Sequence, residues 1–182
     1  RRYHPKIRLD RKAPGQTKRQ NRMRIVNKIY IHCSGGHSDY EGVKRWWFTP
    51  KPNGLGWDTG GYHKWVDYDG LITDTYPLSK ITNGVLGKNK DAVHICYRGG
   101  VEKKNVNVSK DTRTEMQKVG ILEAIREVLE ELKQYQDISH IEILGHRDAS
   151  PDKNGNGVIE PWERIKDCPS FDAKAEYKWI TV

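Results

Sequence analysis

The sequence predicts one α/β or α+β domain, in which one long helix packs against one face of a β-sheet. Three observations predict it: several short runs rich in β-branched residues, one long amphipathic segment, and a length of 182 residues that suits a single domain. Hydrophobic residues make up 35% of the chain and charged residues 31%. No apolar run approaches the roughly 20 residues that a membrane-spanning helix needs. Composition therefore argues against a membrane protein, a collagen and a wholly disordered chain.

Four segments have the pattern of strands. Residues 25–32, 92–98 and 141–144 are short runs with many β-branched residues, and glycine follows each of them. Residues 62–76 predict a hairpin, because Asp69-Gly70 at their centre is a pair that favours tight turns.

Three segments predict helices. Residues 40–48 carry two tryptophans and a valine at helical spacing, and residues 171–179 are expected to form a C-terminal helix. Residues 112–135 begin with Thr112 and Glu115, which have the spacing of a capping box. Apolar residues then recur every three or four positions and predict one buried stripe. The stripe comprises Met116, Val119, Leu122, Ile125, Val128 or Leu129, and Leu132.

Positive charge is concentrated at the start of the chain. Residues 1–28 hold eleven Lys and Arg against one acid, Asp10, and so carry +10, while the other 154 residues carry −2. We divide the chain into a basic arm at 1–24, which lacks apolar periodicity, and a folded domain at 25–182. The arm is expected either to attract a polyanion or to be a solvated tail. It holds no apolar stretch typical of a secretory signal; the chain does not begin with Met, so the export route stays open.

Two histidines and one cysteine form a candidate metal site. His32 and His146 each lie at the end of a predicted strand, where sites gather in α/β sheets. Cys168 lies in a polar stretch, whereas a structural cysteine usually lies in a core. Two imidazoles and a thiolate suit zinc, with a fourth position left for water. Residues so far apart in sequence also occur together by coincidence, so spacing alone leaves both interpretations open.

Four short strings add a more specific signal. They are Ile31-His32-Cys33-Ser34, Gly61-Tyr62-His63, Gly145-His146-Arg147-Asp148 and Lys166-Asp167-Cys168-Pro169-Ser170-Phe171-Asp172. In identity and order they resemble the zinc-dependent N-acetylmuramoyl-L-alanine amidases of the phage-lysozyme and peptidoglycan-recognition-protein superfamily. The resemblance runs from about Ile25 to Trp179, and Cys96-Tyr97-Arg98-Gly99-Gly100 looks like the central strand of that family. It implies a mixed central β-sheet flanked by helices.

The resemblance also implies the roles of five residues. His32, His146 and Cys168 match the zinc ligands, and Tyr62 and Lys166 match the catalytic tyrosine and lysine. Members of the superfamily that only recognise peptidoglycan typically lack the cysteine ligand. Its presence in this sequence therefore favours an enzyme, whose folded domain at 25–182 is a zinc amidase domain.

The reaction that the resemblance implies is hydrolysis of the amide bond between N-acetylmuramic acid and L-alanine in peptidoglycan. We expect a monomer of the phage, prophage or mobile-element type that acts on the cell wall, in the periplasm or outside the cell, with its basic arm on the anionic wall. A non-catalytic module that recognises muropeptide is the alternative. A nucleic-acid binder is a third interpretation, which the lack of a recognition motif and the slightly acidic domain disfavour.

Several other residues near these strings have open roles. His63 is either a support for the site or a plain strand residue, and His94 and His140 are expected to be structural. Trp57 is a core candidate that lies in a glycine-rich loop, so stacking on a sugar ring is its alternative role. Cys33 adjoins a ligand but is expected to point to the opposite strand face.

A second metal signal lies between His146 and Cys168. Residues 152–163 match the twelve-position calcium-loop pattern, with oxygen ligands at the required positions and glycine at the sixth. The six candidate ligands are Asp152, Asn154, Asn156, Val158 through its carbonyl, Glu160 and Glu163. No helix leads into the segment and Pro161 interrupts its end, so a turn-rich surface loop is the alternative to a Ca²⁺ site.

Overall fold

The computed structural model of the chain describes residues 23–180, and its elements follow the predicted order. The strands are β1 (Lys28–Cys33), β2 (Lys64–Val66), β3 (Ile72–Asp74), β4 (Ala92–Tyr97) and β5 (Glu142–Gly145). The helices are α1 (Tyr40–Phe48), α2 (Glu115–Lys133) and α3 (Ala173–Tyr177), and short 3₁₀ helices lie at His146–Ala149 and Pro161–Glu163. The predicted α/β fold, with a mixed central sheet flanked by helices, is confirmed.

The five strands form one sheet in the order β3-β2-β4-β1-β5. Strand β1 pairs in parallel with β4 and with β5, and β2 pairs in parallel with β4. Only β3, the second strand of the predicted hairpin, is antiparallel to its neighbour. Because parallel strands end at the same edge of a sheet, residues at the carboxyl ends of β1 and β5 are brought together.

Alternation along β1 and β4 separates the main core from the opposite face of the sheet. Ile29, Ile31 and Cys33 point into the main core, which α2 covers. Tyr30 and His32 alternate with them and point to the other face. Cys33 therefore points away from its ligand neighbour, as the alternation predicted.

Helix α2 begins later than predicted because a different threonine caps it. The hydroxyl oxygen of Thr114 accepts the N–H of Gln117 at 3.0 Å, and the Gln117 side chain accepts the N–H of Thr114 at 3.1 Å. The hydroxyl oxygen of Thr112 instead accepts the N–H of Gly100 at 2.8 Å. The predicted capping box at Thr112 and Glu115 is therefore wrong, since a contact outside the helix occupies the Thr112 side chain.

The buried face of α2 also differs from the predicted stripe in its first half. Met116 and Val119 are 57% and 62% exposed. Gly120 faces the sheet instead, and a Cβ atom there would lie 2.6 Å from the carbonyl oxygen of Gly70 and 2.8 Å from a Val66 methyl carbon. The close approach to the β2–β3 turn decides which residues are buried. They are Gln117, Gly120, Ile121, Ala124, Ile125, Val128, Leu129 and Leu132.

Most of the predicted basic arm, residues 1–22, lies outside the described residues. Arg24, assigned to the end of the arm, packs on the domain: its guanidinium donates to the carbonyl oxygens of Leu78 at 2.9 Å, Lys90 at 2.9 Å and Ala92 at 2.7 Å. Within residues 23–180, no helix combines the length and the apolar character that crossing a membrane requires.

Candidate metal centre

The three predicted zinc ligands come from three segments that meet at one edge of the sheet. His32 lies in β1, and His146 directly follows β5, which pairs with β1. Cys168 lies in the loop before α3. The N–H of Arg147 donates to the Cys168 carbonyl at 2.7 Å, and the N–H of Cys33 donates to the Cys168 sulfur at 3.3 Å. These two bonds attach the loop to the ends of both histidine-bearing strands.

The spacing of the three side chains suits a tetrahedral zinc ion. The Nδ1 atoms of His32 and His146 lie 3.1 Å apart, and Cys168 Sγ lies 3.7 Å from His32 Nδ1. Zinc bonds of normal length place two nitrogens about 3.3 Å apart and a nitrogen and a sulfur about 3.6 Å apart in a tetrahedron. Within residues 23–180, this is the one group of three His, Cys or acidic residues whose ligand atoms lie within 4.8 Å of one another. The residues present therefore fit zinc.

Burial keeps both histidines in the neutral form that binds a metal. It lowers the pKa of His32 well below the usual value, and the neighbouring His94 and His146 add to this effect. Burial together with the positive charge of Lys166 lowers the pKa of His146 to about 4. Burial raises the pKa of the Cys168 thiol well above its usual value. A metal reverses this last effect, because a coordinated thiol loses its proton.

Tyr62 and Lys166 flank the ligands. The Tyr62 ring lies 5.2 Å from the His32 ring between centroids and meets Trp47 edge-on at 5.1 Å. Burial raises the pKa of Tyr62 well above its usual value, so its hydroxyl keeps its proton at neutral pH. Lys166 is exposed at the rim, where its charge acts on His146.

A cleft of about 500 Å³ opens beside His146. Both His146 and Lys166 line it, so the metal centre and the cleft share a wall. Trp57 lies on its lining as well and stacks on Trp47 with a centroid distance of 6.3 Å. Leu86 and Ile165, which are 98% and 75% exposed, contribute apolar surface.

The predicted calcium loop folds around its own acidic and amide side chains. The Asp152 carboxylate accepts two glycine N–H groups at 2.7 Å, and Glu160 accepts the side-chain amides of Asn154 at 2.9 Å and Asn156 at 2.8 Å. Glu163 is buried and accepts backbone N–H groups from Lys153, Asn154 and Glu160. Val158 is 58% exposed. These bonds suit a turn-rich loop, and Ca²⁺ binding stays a prediction.

His94 has a contact that the sequence analysis missed. Its Nδ1 lies 3.0 Å from Nε2 of His32, the nitrogen that points away from the other ligands. His63 makes no such contact; it donates to the Lys80 carbonyl at 2.9 Å and accepts the N–H of His94 at 3.0 Å. Side chains alternate between the two faces of a strand, so the register of β1 against β4 decides whether His32 and His94 share a face. In the structure Tyr30 pairs with His94, and His32, two residues after Tyr30, therefore lies on the same face as His94.

Burial of histidine predicts acid sensitivity of the metal-free protein. His63 is fully buried, and burial lowers its pKa to about 4. The unfolded chain binds a proton near pH 6.5 and the folded one does not, so stability is complete above pH 6.5 and falls as the pH drops toward 4. Each such histidine contributes a slope of about 1.4 kcal/mol per pH unit in that window. Urea unfolding from pH 7 to pH 5 measures it.

The exposed histidine His140 provides the matched control for this slope. We expect His63→Gln to lower the slope by about 1.4 kcal/mol per pH unit, the share of one buried histidine, and His140→Gln to leave the slope unchanged. An unfolding free energy that stays constant between pH 7 and pH 5 would contradict the prediction.

Solved structures of known proteins share this fold. No protein-family model matches the chain. The amidase LysC from Clostridium intestinale superposes with a TM-score of 0.58 at 19% identity, covering 87% of both chains. Bumblebee PGRP-SA superposes with a TM-score of 0.59 at 14% identity, covering 86% of this chain and 83% of the other. At these low identities, the two similarities establish a shared fold and nothing more.

Sequence similarity to curated proteins decides the family. The endolysin of Klebsiella phage KP32 is 30% identical over 162 residues, which cover 87% of each protein. The chain belongs to the family of this phage endolysin. The endolysin of Enterobacteria phage K11 is 26% identical over 167 residues, 90% of this chain and 89% of the relative. The resemblance that the four strings carry is confirmed by these endolysins, together with the fold shared with an amidase and a peptidoglycan recognition protein.

Proposed function

We propose that the chain hydrolyses the amide bond between the lactyl group of N-acetylmuramic acid and L-alanine of the stem peptide in a zinc-dependent reaction. The observation that carries the proposal is the spacing of His32, His146 and Cys168, which suits tetrahedral zinc. The open cleft that His146 lines gives a polymeric substrate access to the metal centre. The family to which the chain belongs supports peptidoglycan as the substrate and cell-wall lysis as the role.

When bound, zinc supplies a water of lowered pKa and polarises the amide carbonyl. The remaining work falls to side chains of the chain itself. Lys166 brings a positive charge to the oxygen that becomes negative in the tetrahedral transition state. Tyr62 keeps its proton and acts as a hydrogen-bond donor that orients the reacting groups. His32 and His146 stay neutral at the pH of the reaction and hold the ligand geometry.

The lining of the cleft suits a substrate that is part sugar and part peptide. Trp57 offers an aromatic ring, and such rings commonly pack against the apolar faces of ligands. Leu86 and Ile165 offer apolar surface to the side chains of a stem peptide. We assign the cleft to the muropeptide around the scissile bond.

Muropeptide release from purified sacculi tests the function. We expect free stem peptides that begin at L-alanine, detected by mass spectrometry, lost on chelation and restored by zinc. Intact sacculi together with tight muropeptide binding would instead show a recognition module. Cleavage at a sugar linkage or within the peptide would overturn the assigned bond and leave the fold assignment standing.

The site of action and the partners follow from the same proposal. The chain acts on the cell wall as a monomer, and the basic arm at 1–24 concentrates it on the anionic polymer. Nucleic acid is not assigned as a partner, because the excess positive charge lies in the arm and the rest of the chain carries a slight negative charge.

Calcium binding by residues 152–163 is expected to stabilise the segment between His146 and Cys168. Adding Ca²⁺ to chelator-stripped, zinc-reconstituted protein should raise the unfolding free energy by about 2.7 kcal/mol at a hundredfold excess over Kd. Asn156→Asp adds a ligand charge and should tighten binding. Thermal melts in Ca²⁺ and in Mg²⁺ measure both effects. If the parent and N156D each melt at the same temperature in the two salts, the Ca²⁺ prediction is wrong and the segment is a surface turn without a bound ion.

A further inference from the structure

We propose that His94 is a positioning residue that fixes the tautomer and ring orientation of the metal ligand His32. The inference rests on the proposed zinc site. It goes beyond the ligands and the catalytic pair, because His94 contacts neither the substrate cleft nor the other two ligands. It also replaces the structural role that the sequence suggested for this residue.

The two ring nitrogens of His32 have different partners. Nδ1 faces His146 and Cys168, at 3.1 and 3.7 Å, and is the ligand atom. Nε2 faces Nδ1 of His94 at 3.0 Å. A neutral imidazole that binds a metal through Nδ1 carries its proton on Nε2. His32 therefore donates to His94, and His94 Nδ1 must be the unprotonated acceptor.

His32 is the one hydrogen-bond partner of the His94 ring within residues 23–180. The other ring nitrogen, Nε2, is buried and has no partner in that part of the chain. Buried polar groups usually have a partner, so the Nε2 atom does not account for a histidine at this position. The contact with His32 is thus the specific interaction that a histidine at this position provides.

Neighbouring groups hold the His94 ring in place. It lies between the rings of Tyr30 and His63, each stacked with a centroid distance of 5.8 Å. Gly84 lies against the same ring, since a Cβ atom there would come within 2.3 Å of it. The backbone of His94 is fixed through its N–H, which donates to His63 at 3.0 Å. The acceptor is therefore preorganised before a metal arrives.

The acceptor is itself unusual for a metal site. Ligand histidines commonly donate their second N–H to a carboxylate, a backbone carbonyl or water, and loss of that partner typically costs 10- to 100-fold in metal affinity. A neutral imidazole orients His32 without adding negative charge to a fully buried position. We expect the same range of loss when this acceptor is removed.

Zinc affinity, measured by competition with a chromophoric chelator, tests the proposal. His94→Leu removes the acceptor, and we expect its zinc Kd to rise about 10- to 100-fold. His94→Asn keeps an acceptor oxygen near the place of Nδ1, and we expect it to restore most of the affinity. Parent-like affinity in H94L, or equal losses in H94L and H94N, would overturn the role.

The second measurement uses the unmodified zinc-loaded protein. Long-range ¹H–¹⁵N spectra of the histidine rings should show a proton on Nε2 of both His32 and His94 and none on Nδ1 of His94. A proton on His94 Nδ1 would overturn the proposal even if H94L failed to fold. A parent protein that binds no zinc would overturn the proposed zinc site and this inference together, whereas parent-like affinity in H94L overturns this inference alone.

Discussion

Replacing Cys168 with serine is expected to abolish stoichiometric zinc binding and to lower the rate of amide hydrolysis by at least about a thousandfold. The thiolate is one of three protein ligands, and a hydroxyl is a much poorer ligand for zinc. Loss of the metal removes both the activated water and the polarised carbonyl, which together supply several kcal/mol of transition-state stabilisation. Metal analysis of the purified variant and peptide release from sacculi measure the two effects.

Cys33→Ser is the matched control for this variant. Cys33 is a free, buried cysteine on the core face of β1, and its thiol lies beside that of Cys168 but is not one of the three ligand atoms. The backbone N–H of residue 33 that donates to the Cys168 sulfur is retained in the variant. We expect C33S to bind zinc and to hydrolyse peptidoglycan. Full activity in C168S would overturn the assignment of the third ligand.

Replacing Lys166 with methionine is expected to lower kcat by about 10²- to 10³-fold while zinc stays bound. This is the usual cost of removing one group that stabilises negative charge in an acyl-transfer transition state. Methionine keeps much of the length and apolar character of the lysine stem and removes the ammonium group. The Lys166 side chain is exposed at the cleft rim, so its truncation should leave the fold intact.

Lys104→Met removes one exposed positive charge elsewhere on the surface and is the matched control. Assays on a soluble muropeptide keep binding to the wall out of the measurement, so that kcat and KM are compared directly. A parent-like kcat in K166M would overturn the catalytic role of Lys166. A variant that purified without zinc would show that Lys166 acts on the metal site instead.

Local sequence patterns determined much of this protein. The β-branched runs ended by glycine, the Asp69-Gly70 turn and the long amphipathic segment each correspond to an element of the fold, because their periodicity depends on neighbours along the chain. The four strings likewise named the His32, His146 and Cys168 set, which the structure brings within ligand distance. The choice of these three among seven histidines and three cysteines came from the resemblance, since spacing alone left coincidence open.

Only the tertiary structure decided the features that depend on contacts between distant segments. The Thr112 hydroxyl oxygen accepts the N–H of Gly100 and is not free to cap α2, so the helix begins later than predicted. The close approach of Gly70 to Gly120 decides which face of α2 is buried. The contact between His32 and His94 depends on the register of β1 against β4, strands that are about sixty residues apart in the chain. Local periodicity describes the faces of one element, whereas register is set by packing across the whole sheet. The role of His94 as the hydrogen-bond acceptor for the metal ligand His32 could therefore be inferred only from the folded structure.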